Sequence, residues 1–258
     1  MPVSSEKSGR SASQSEGLVA AVHGTILDAI CSGMLPPGTR LGQEWLAERF
    51  GVSRQPVAQA LALMKAQGFV VDVGRRGLMV NSLTSDYVTS MYEVRGALDA
   101  LAAKLAAANC QTTKLKAAAR AEFDRLLGAG EAAIGSKSVT ELIAADVAFH
   151  SYIYTLSKNS VIGETMELLW SRMRWVMSAY LREHDWAKST WGEHRRIVEA
   201  ILAADPQAAA TAMDAHLVLA IDLIEGSIGD GIAKPGATQF HAPISLKSGR
   251  EMSRQNGN

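Results

Sequence analysis

Residues 41–68 read LGQEWLAERFGVSRQPVAQALALMKAQG, and this stretch decides the fold of the front of the chain. Two helical patterns, about Gln43 to Phe50 and Ser53 to Gln67, meet at Gly51, which can take the left-handed conformation of a tight turn. Ala47 is small enough to let the two helices cross closely. The pattern predicts a helix-turn-helix. We expect its shared core to contain Leu46, Phe50, Val52, Val57 and Leu61.

The flanking residues extend this motif on both sides. Before it, apolar residues recur at helical spacing from Gly17 to Gly33. After it, residues 69–73 alternate in polarity, GRRG follows at 74–77, and the apolar residues 78–80 close the pattern, which predicts two short strands around a basic turn. The sequence therefore predicts a winged helix-turn-helix over residues 17–82.

The second helix of such a motif places its first residues against base edges. The candidates for DNA contact are Ser53, Arg54, Gln55 and Gln59, with Arg75 and Arg76 in the wing. Arg54 is the preferred reader because its planar fork can satisfy O6 and N7 of guanine together, whereas Ser53 at the helix cap suits a phosphate or its own backbone. We expect the wing arginines along the sugar-phosphate backbone or in the minor groove. The alternative is a small helical subdomain with a solvated surface hairpin.

The rest of the chain has helical periodicity almost throughout. Apolar patterns predict helices at about 85–109, 112–128, 139–157, 160–183, 190–204 and 206–226. Capping-box spacing marks starts at Ser138 with Glu141 and at Thr190 with Glu193, and Pro206 suits the first position of the last helix. The fold class predicted is mainly α, with an N-terminal winged helix-turn-helix and a C-terminal all-helical bundle of about six helices. The expected domains are a disordered arm at 1–16, the DNA-binding domain at 17–82, a helical effector-binding domain at 83–226 and a flexible tail at 227–258.

Four polar residues of the helical part have the spacing of a metal site. Asp146 and His150 are four residues apart and so share one helix face. His194 and His216 each lie about 15 Å from the turn at Asp205, so they are level if the last two helices form an antiparallel hairpin. The set suits a divalent ion such as Zn, Ni, Mn or Fe. The alternative is that each histidine is an ordinary buried or interfacial imidazole, and spacing alone leaves both interpretations open.

Composition excludes several classes of protein. The chain has 26 basic and 26 acidic side chains, a balance that argues against a polybasic or histone-like protein. Its 2 cysteines, Cys31 and Cys110, have neither disulfide-framework nor metal-site spacing, which favours a reducing cytoplasm. The first 16 residues lack the apolar core of a signal peptide, and no apolar run approaches the roughly 20 residues that span a bilayer, so we expect no membrane association.

The front motifs are similar to those of a known family. The stretches PPGTRL, LAERFGVSRQPVAQAL and GRRG followed by an apolar strand resemble the N-terminal domain of GntR-family transcription regulators. The chain departs from that family at Ala58, where an arginine that commonly contacts DNA is usual. The departure implies an altered sequence preference or weaker binding, with Gln59 as a partial substitute.

The rear motifs resemble the metal-containing ligand-binding (FCD) domain of the FadR-type branch of that family. The similar stretches are YEVRGALDALAAKLAA, in which Asp99 stands where Glu is usual, DVAFH, EHRRIVEAI and MDAHL. The resemblance implies that a divalent ion is held by Asp146, His150, His194 and His216. It also implies Arg95 as the cationic partner of a small carboxylate effector, with Arg172 and Arg174 as weaker candidates.

The function expected is that of a transcription regulator, a homodimer that represses by binding a two-fold related double-stranded operator. A small organic acid in the metal-containing pocket would control operator affinity. One alternative is a metal-responsive regulator, in which the ion itself is the signal. A metal-dependent hydrolase is disfavoured because the chain has no Gly-rich phosphate loop and no HExxH. The tryptophans at 170, 175, 186 and 191 are expected in the core or at a dimer contact rather than in a stacking box.

Overall fold

The computed structural model of the chain describes residues 6–74, 77–180 and 187–229, with side chains described for 16–74, 77–178 and 187–222. The chain divides into two compact units, and the second unit begins at Leu83. Across these described ranges helices dominate, and the sheet they contain has two strands. The predicted fold class, mainly α with a winged helix-turn-helix and a helical bundle, is confirmed.

The first unit contains the predicted helix-turn-helix. Its elements are α1 (Glu6–Cys31), α2 (Gln43–Phe50), α3 (Arg54–Ala66), β1 (Val70–Val73) and β2 (Gly77–Val80). Gly51 ends α2 in the left-handed conformation, at φ 65° and ψ 33°, as the turn requires. The side chains of Leu46, Phe50, Val57 and Leu61 are buried, and Val52 is half-buried. The predicted core of the motif is therefore confirmed.

The two strands of the first unit form the predicted hairpin. β1 and β2 pair antiparallel, with Val70 opposite Val80 and Val73 opposite Gly77. An isolated bridge joins Arg40 to Met79, so the segment before α2 lies along the outer edge of β2. The basic turn itself, with Arg75 and Arg76, lies outside the described residues.

The second unit is built from helices connected by short turns. Its described elements are α4 (Ser85–Asn109), α5 (Thr113–Ser136), α6 (Val139–Ser157), α7 (Ser160–Tyr180), α8 (Ala187–Ala203) and α9 (Pro206–Gly229). Pro206 occupies the first position of α9, as predicted. At the start of α6 the hydroxyl of Ser138 accepts a hydrogen bond of 3.3 Å from the backbone N–H of Glu141, so this predicted cap is confirmed.

Two helix boundaries of the second unit differ from the prediction. α5 continues to Ser136 instead of ending near residue 128, because packing of its buried residues, such as Gly130 and Ala133, outweighs the low helix propensity of glycine. α8 begins at Ala187, so Thr190 lies inside the helix, where it is buried. The predicted cap at Thr190 is therefore wrong, and Glu193 is available for a different contact.

Near both ends of the chain, the described residues continue a helix beyond its predicted bounds. Residues 6–16, expected to belong to a disordered arm, continue α1 back to Glu6. Once the apolar stripe of α1 has nucleated the helix, each further residue adds a hydrogen bond at little cost, and no proline interrupts residues 6–16. At the other end α9 continues through Gly229, whereas the rest of the predicted tail, residues 230–258, lies outside the described residues.

The core of the second unit forms around α4, which contacts α6, α7, α8 and α9. The buried alanines of α4 at 102, 103, 106 and 107 let neighbouring helices approach its backbone closely. Larger buried side chains such as Phe123, Phe149, Met166 and Ile197 fill the space between the helices. Among the described residues, none of the helices combines the length and apolar character needed to cross a membrane.

Candidate functional site

The first candidate site is the exposed N-terminal end of α3. Ser53, Arg54, Gln55 and Gln59, all predicted to contact DNA, are exposed, while Ala58 between them is half-buried. Ser53 is the residue before the helix and makes no capping hydrogen bond with its side chain. Arg54 forms an ion pair with Glu44 of α2, and both side chains are largely exposed. The four side chains are therefore presented to solvent on one end of the predicted recognition helix.

The second candidate site is a buried polar cluster in the second unit, where the four predicted metal ligands meet. One ring nitrogen from each of His150, His194 and His216 lies within 4.8 Å of the others. Oδ1 of Asp146 lies 3.5 Å from Nε2 of His194 and 3.8 Å from Nε2 of His150. All four residues are buried. The four side chains whose spacing was matched in the sequence thus converge at one point of the structure.

Local helix geometry explains this convergence. Asp146 and His150 are one turn apart on α6. α8 and α9 pack against each other across a short turn, in which Ala204 adopts φ 60°. The carboxylate of Asp205 then caps α9 by accepting hydrogen bonds from the backbone N–H groups of Gln207 and Ala208, at 3.1 and 3.0 Å. Because the turn is short, His194 on α8 and His216 on α9 lie at the same distance along the helix pair and face each other.

A second carboxylate, Asp99 of α4, lies behind this cluster. Its Oδ2 accepts a hydrogen bond of 3.0 Å from Nε of Arg95, and its Oδ1 accepts one of 2.5 Å from the hydroxyl of Tyr154. Nδ1 of His150 lies 3.2 Å from the same Oδ2. Burial by itself would raise the pKa of Asp99, but its contacts with the His150 ring, the Arg95 guanidinium and the Tyr154 hydroxyl outweigh burial and hold that pKa below its usual range. Asp99 is therefore ionised.

A third carboxylate contacts the cluster from α8. Oε2 of Glu193 lies 3.0 Å from Nδ1 of His216, and the Glu193 side chain is only 11% exposed. Burial lowers the pKa of His216, although the hydrogen bond with Glu193 opposes the shift. Burial, then repulsion by His216 and His150, lowers the pKa of His194 well below its usual value. A neutral imidazole is the form that binds a metal ion.

Unsatisfied polar atoms concentrate at this point of the structure. Within the described residues, buried polar atoms without a hydrogen-bond partner include Nη2 of Arg95, Oδ2 of Asp146, Nε2 of His150 and both ring nitrogens of His194. Buried polar groups almost always have partners, so such a concentration indicates a site that accommodates a ligand. Three imidazole nitrogens and one carboxylate oxygen match the donor set of a divalent transition metal. The residues present therefore fit such an ion.

The three arginines predicted to bind an effector have different surroundings. Arg95 is 2% exposed, and its Nη2 lies 3.7 Å from Oδ2 of Asp146. Its guanidinium carbon lies 5.2 Å from the centre of the Trp170 ring. Arg172 is half-buried, and Arg174 is exposed because the inward face of α7 is taken by apolar residues such as Met173. Arg174 therefore lies on the outer face of α7 and not in the buried cluster.

The tryptophans of this unit are core residues, as expected. Trp170, Trp175 and Trp191 are buried, and Trp186 lies outside the described residues. The ring of Trp191 lies 4.3 Å from that of His194, centre to centre, and Trp170 lies 6.1 Å from His150. The two indoles thus form part of the apolar wall around the imidazoles.

The sequence did not predict that three residues, Asp99, Tyr154 and Glu193, belong to the cluster. Tyr154 and Asp99 are 55 positions apart, so their contact is purely tertiary. Asp99 does lie four residues after Arg95, a spacing typical of a helical ion pair that the sequence displays. Glu193 precedes His194 directly, but its distance from Thr190 matched a helix cap, and that local pattern was preferred.

The chain is similar to known proteins in both sequence and structure. The chain matches the pattern described as "Bacterial regulatory proteins, gntR family" over residues 18–80 and that of the FCD domain over residues 90–219. An HTH-type transcriptional regulator of Mycobacterium tuberculosis is 32% identical over 217 residues, which cover 75% of this chain and 84% of that protein. The HTH-type transcriptional regulator YdhC of Bacillus subtilis is 29% identical over 189 residues, 72% of this chain and 82% of its own.

Among solved structures, McbR/YncC of E. coli superimposes with a TM-score of 0.67 at 21% sequence identity. The match covers 82% of this chain and 98% of that chain. At this identity the likeness shows a shared fold. The relatives named here by sequence are transcriptional regulators, not enzymes.

Proposed function

The chain belongs to the GntR family of bacterial regulatory proteins and carries an FCD domain, and on that premise we propose that a small carboxylate in a metal-containing pocket controls its binding to operator DNA. The protein is a DNA-binding transcriptional regulator of this family. The observation that carries the proposal is the convergence of three buried imidazoles and one carboxylate in the second unit.

The first unit reads the operator through α3. Arg54 contributes direct readout of a guanine, Gln55 and Gln59 contact neighbouring base edges, and Ser53 binds a phosphate. Exposure of all four side chains supports this assignment. The wing arginines, Arg75 and Arg76, are proposed from the sequence alone as contacts to the sugar-phosphate backbone or the minor groove. Ala58 removes one basic contact that is usual in the family, so α3 depends more heavily on Arg54.

In the second unit Asp146, His150, His194 and His216 hold a divalent ion. When bound, the ion supplies a Lewis-acidic position that attracts a carboxylate oxygen of the effector. The three imidazoles would contribute nitrogen donors and Asp146 an oxygen donor. Burial lowers the pKa of His194 well below its usual value, which favours the neutral ring that a metal ion binds. Zn, Ni, Mn and Fe all accept this donor set.

Arg95 is the cationic partner of the effector carboxylate. Its Nη2 is buried without a hydrogen-bond partner among the described residues, whereas its Nε is fixed by Asp99. Burial by itself would lower the pKa of Arg95, but Asp99 and Asp146 raise it, so the guanidinium stays charged. A fixed guanidinium with one unsatisfied nitrogen suits a planar carboxylate. A small hydroxy acid or sugar acid carries a carboxylate of the kind that this guanidinium would bind.

We propose a homodimer that contacts a two-fold related operator. Tyr87, Val94 and Leu101 are exposed on α4 at intervals of seven residues, which places them on one face of the helix. Val161 and Leu168 form a similar exposed pair on α7. Exposed apolar residues that recur every two turns along one helix face are typical of protein interfaces, and a second copy of the chain would cover them.

The effector acts through the packing of α4. This helix carries Arg95 and Asp99 of the site and begins five residues after the last residue of the wing, Val80. An effector that binds two arrangements of α4 with different affinity shifts the protein between them, and operator affinity changes with it. We propose that the protein represses transcription. One relative, from Paenarthrobacter nicotinovorans, is named "Probable D-xylose utilization operon transcriptional repressor".

The metal site is tested first by elemental analysis of the purified full chain. The parent protein is expected to contain one equivalent of a divalent metal, and the double variant His194→Ala with His216→Ala is expected to contain none. His23→Ala, a change in the first unit, is the control and is expected to retain the metal. Stoichiometric metal in the double variant would refute the ligand set.

Effector control is tested by operator binding in the presence of sugar acids, hydroxy acids and amino acids. A carboxylate that changes operator affinity only in the metal-loaded protein supports the proposal. The metal-responsive alternative predicts a different result. In that case titration with the metal alone, without any organic acid, would produce the whole change in operator affinity. The two outcomes are distinguished on the same operator fragment.

A further inference from the structure

The three imidazoles of the cluster are held in three different ways. Nδ1 of His150 lies 3.2 Å from Oδ2 of Asp99, and Nδ1 of His216 lies 3.0 Å from Oε2 of Glu193. Nδ1 of His194 has no hydrogen-bond partner among the described residues. The His194 ring instead stacks on Phe149, with ring centres 4.1 Å apart and planes inclined by 15°.

Resting on the metal site proposed above, we infer that Asp99 and Glu193 are positioning residues for the ion, which fix His150 and His216 so that Nε2 of each ring faces it. A neutral imidazole carries its proton on one ring nitrogen and a lone pair on the other. A carboxylate beside Nδ1 holds the proton there, which leaves the lone pair on Nε2. The carboxylate also prevents the ring from rotating.

The positions of the other ring nitrogens agree with this assignment. Nε2 of His150 lies 3.8 Å from Oδ1 of Asp146, and Nε2 of His194 lies 3.5 Å from the same atom. The Nε2 atoms therefore point to the Asp146 carboxylate, whereas the Nδ1 atoms of His150 and His216 point away to the two outer carboxylates. An ion bound through Nε2 would lie on the Asp146 side of the rings.

Asp99 is itself held rigidly, as a positioning residue must be. It is fully buried, and Arg95 and Tyr154 each donate a hydrogen bond to it. Its Oδ2 contacts both Arg95 and His150. The arginine proposed to bind the effector and a proposed metal ligand thus share one oxygen atom. Binding of the effector at Arg95 would therefore change the affinity for the metal ion at His150, and binding of the ion would change the affinity for the effector by the same factor.

Glu193 provides the cleaner experimental test. Its side chain is 11% exposed, whereas that of Asp99 is 0% exposed, so substitution at Glu193 disturbs the core less. Glu193→Gln keeps an oxygen that can accept a hydrogen bond from Nδ1 of His216 but removes the charge. Glu193→Ala removes both. The pair separates the orienting effect of the hydrogen bond from the effect of charge.

The affinity of the full-length chain for Zn²⁺ is measured by competition with a chromogenic chelator. Loss of an outer carboxylate typically weakens metal binding by about 10- to 100-fold, which is the result expected for Glu193→Ala. Glu193→Gln is expected to lose less. Glu199→Ala, an exposed change on the same helix, is the matched control and is expected to bind Zn²⁺ as the parent does.

Nitrogen NMR of the histidine rings tests the positioning role directly. If Asp99 and Glu193 only stabilised the fold, their replacement would not change the signals of one particular ring. In the Zn²⁺-loaded parent we expect a protonated Nδ1 and a metal-bound Nε2 for His150 and His216. Glu193→Ala is expected to change the ring signals of His216 alone, and Asp99→Asn those of His150. A uniform change at all three histidines would contradict the assignment.

The possible failures are distinguishable. If the parent binds no Zn²⁺, the proposed metal site is wrong and the inference falls with it. If the parent binds Zn²⁺ and Glu193→Ala binds it equally well, the positioning role is overturned while the metal site stands. If Asp99→Asn does not fold, the Glu193 variants still decide the question.

Discussion

The indole of Trp191 on α8 packs directly against the backbone of Gly130 on α5, so closely that a β-carbon at residue 130 would overlap the indole nitrogen. Trp191 in turn lies beside the His194 ring. Gly130→Ala is therefore expected to destabilise the protein, because overpacking a core typically costs about 1–3 kcal/mol. Urea denaturation of the full chain measures the change in the free energy of unfolding.

Gly128→Ala on the same helix is the control for this substitution. A β-carbon at Gly128 would meet no atom within 4 Å, and the residue is exposed. Replacing an exposed helical glycine by alanine stabilises a protein by roughly 0.5–1 kcal/mol. Equal stability of the two variants would contradict the close contact between Trp191 and Gly130.

Metal removal is expected to lower the thermal stability of the protein. A ligand that binds only the folded state stabilises it by about 2.7 kcal/mol at one hundred times its Kd. For a chain of this size each kcal/mol corresponds to about 2–4 °C in Tm. Chelation followed by dialysis should lower Tm, and addition of Zn²⁺ should restore it. The double variant His194→Ala with His216→Ala should show no response to either treatment.

The sequence predicted those parts of the site that depend on residues close together in the chain, and not those that depend on how distant helices pack. Asp146 and His150 share a helix face by spacing alone, and the short turn at Asp205 places His194 and His216 level, so these four residues were predictable from helix geometry. Their outer partners were not. The contact between Tyr154 and Asp99 joins α6 to α4, and no local pattern specifies which helices pack together.

Glu193 shows how a local pattern can mislead. Its spacing from Thr190 satisfies a capping box, but α8 begins at Ala187, so Thr190 lies inside the helix and the Glu193 carboxylate contacts Nδ1 of His216 instead. The exposure of Arg174 has a related cause. The helical phase of α7 is set by core residues such as Met173, and a count of residues along the sequence does not reveal which face the core takes.

Arg54→Ala is expected to weaken operator binding by about 1–3 kcal/mol and to relax the preference at one base pair. Loss of a bidentate contact to guanine removes both affinity and discrimination. Arg49→Ala, an exposed arginine on α2, is the control for removal of a positive charge. Binding is measured on operator fragments with each base pair substituted in turn. A loss from Arg54→Ala that is uniform over all fragments would contradict direct readout.

Arg95→Lys is expected to weaken the response to a carboxylate effector by roughly tenfold or more, because a hydrogen bond to a charged group contributes about 1.5–3 kcal/mol. Lysine keeps the charge that Asp99 and Asp146 require but lacks the planar fork that matches a carboxylate. Arg174→Lys makes the same chemical change on the exposed face of α7 and should bind the effector as the parent does. Effector affinity is measured by calorimetry on the metal-loaded proteins, with the operator affinity of each effector-free protein recorded alongside. Equal weakening in both variants would mean that Arg95 has no specific role, and the carboxylate would then have to bind elsewhere in the second unit.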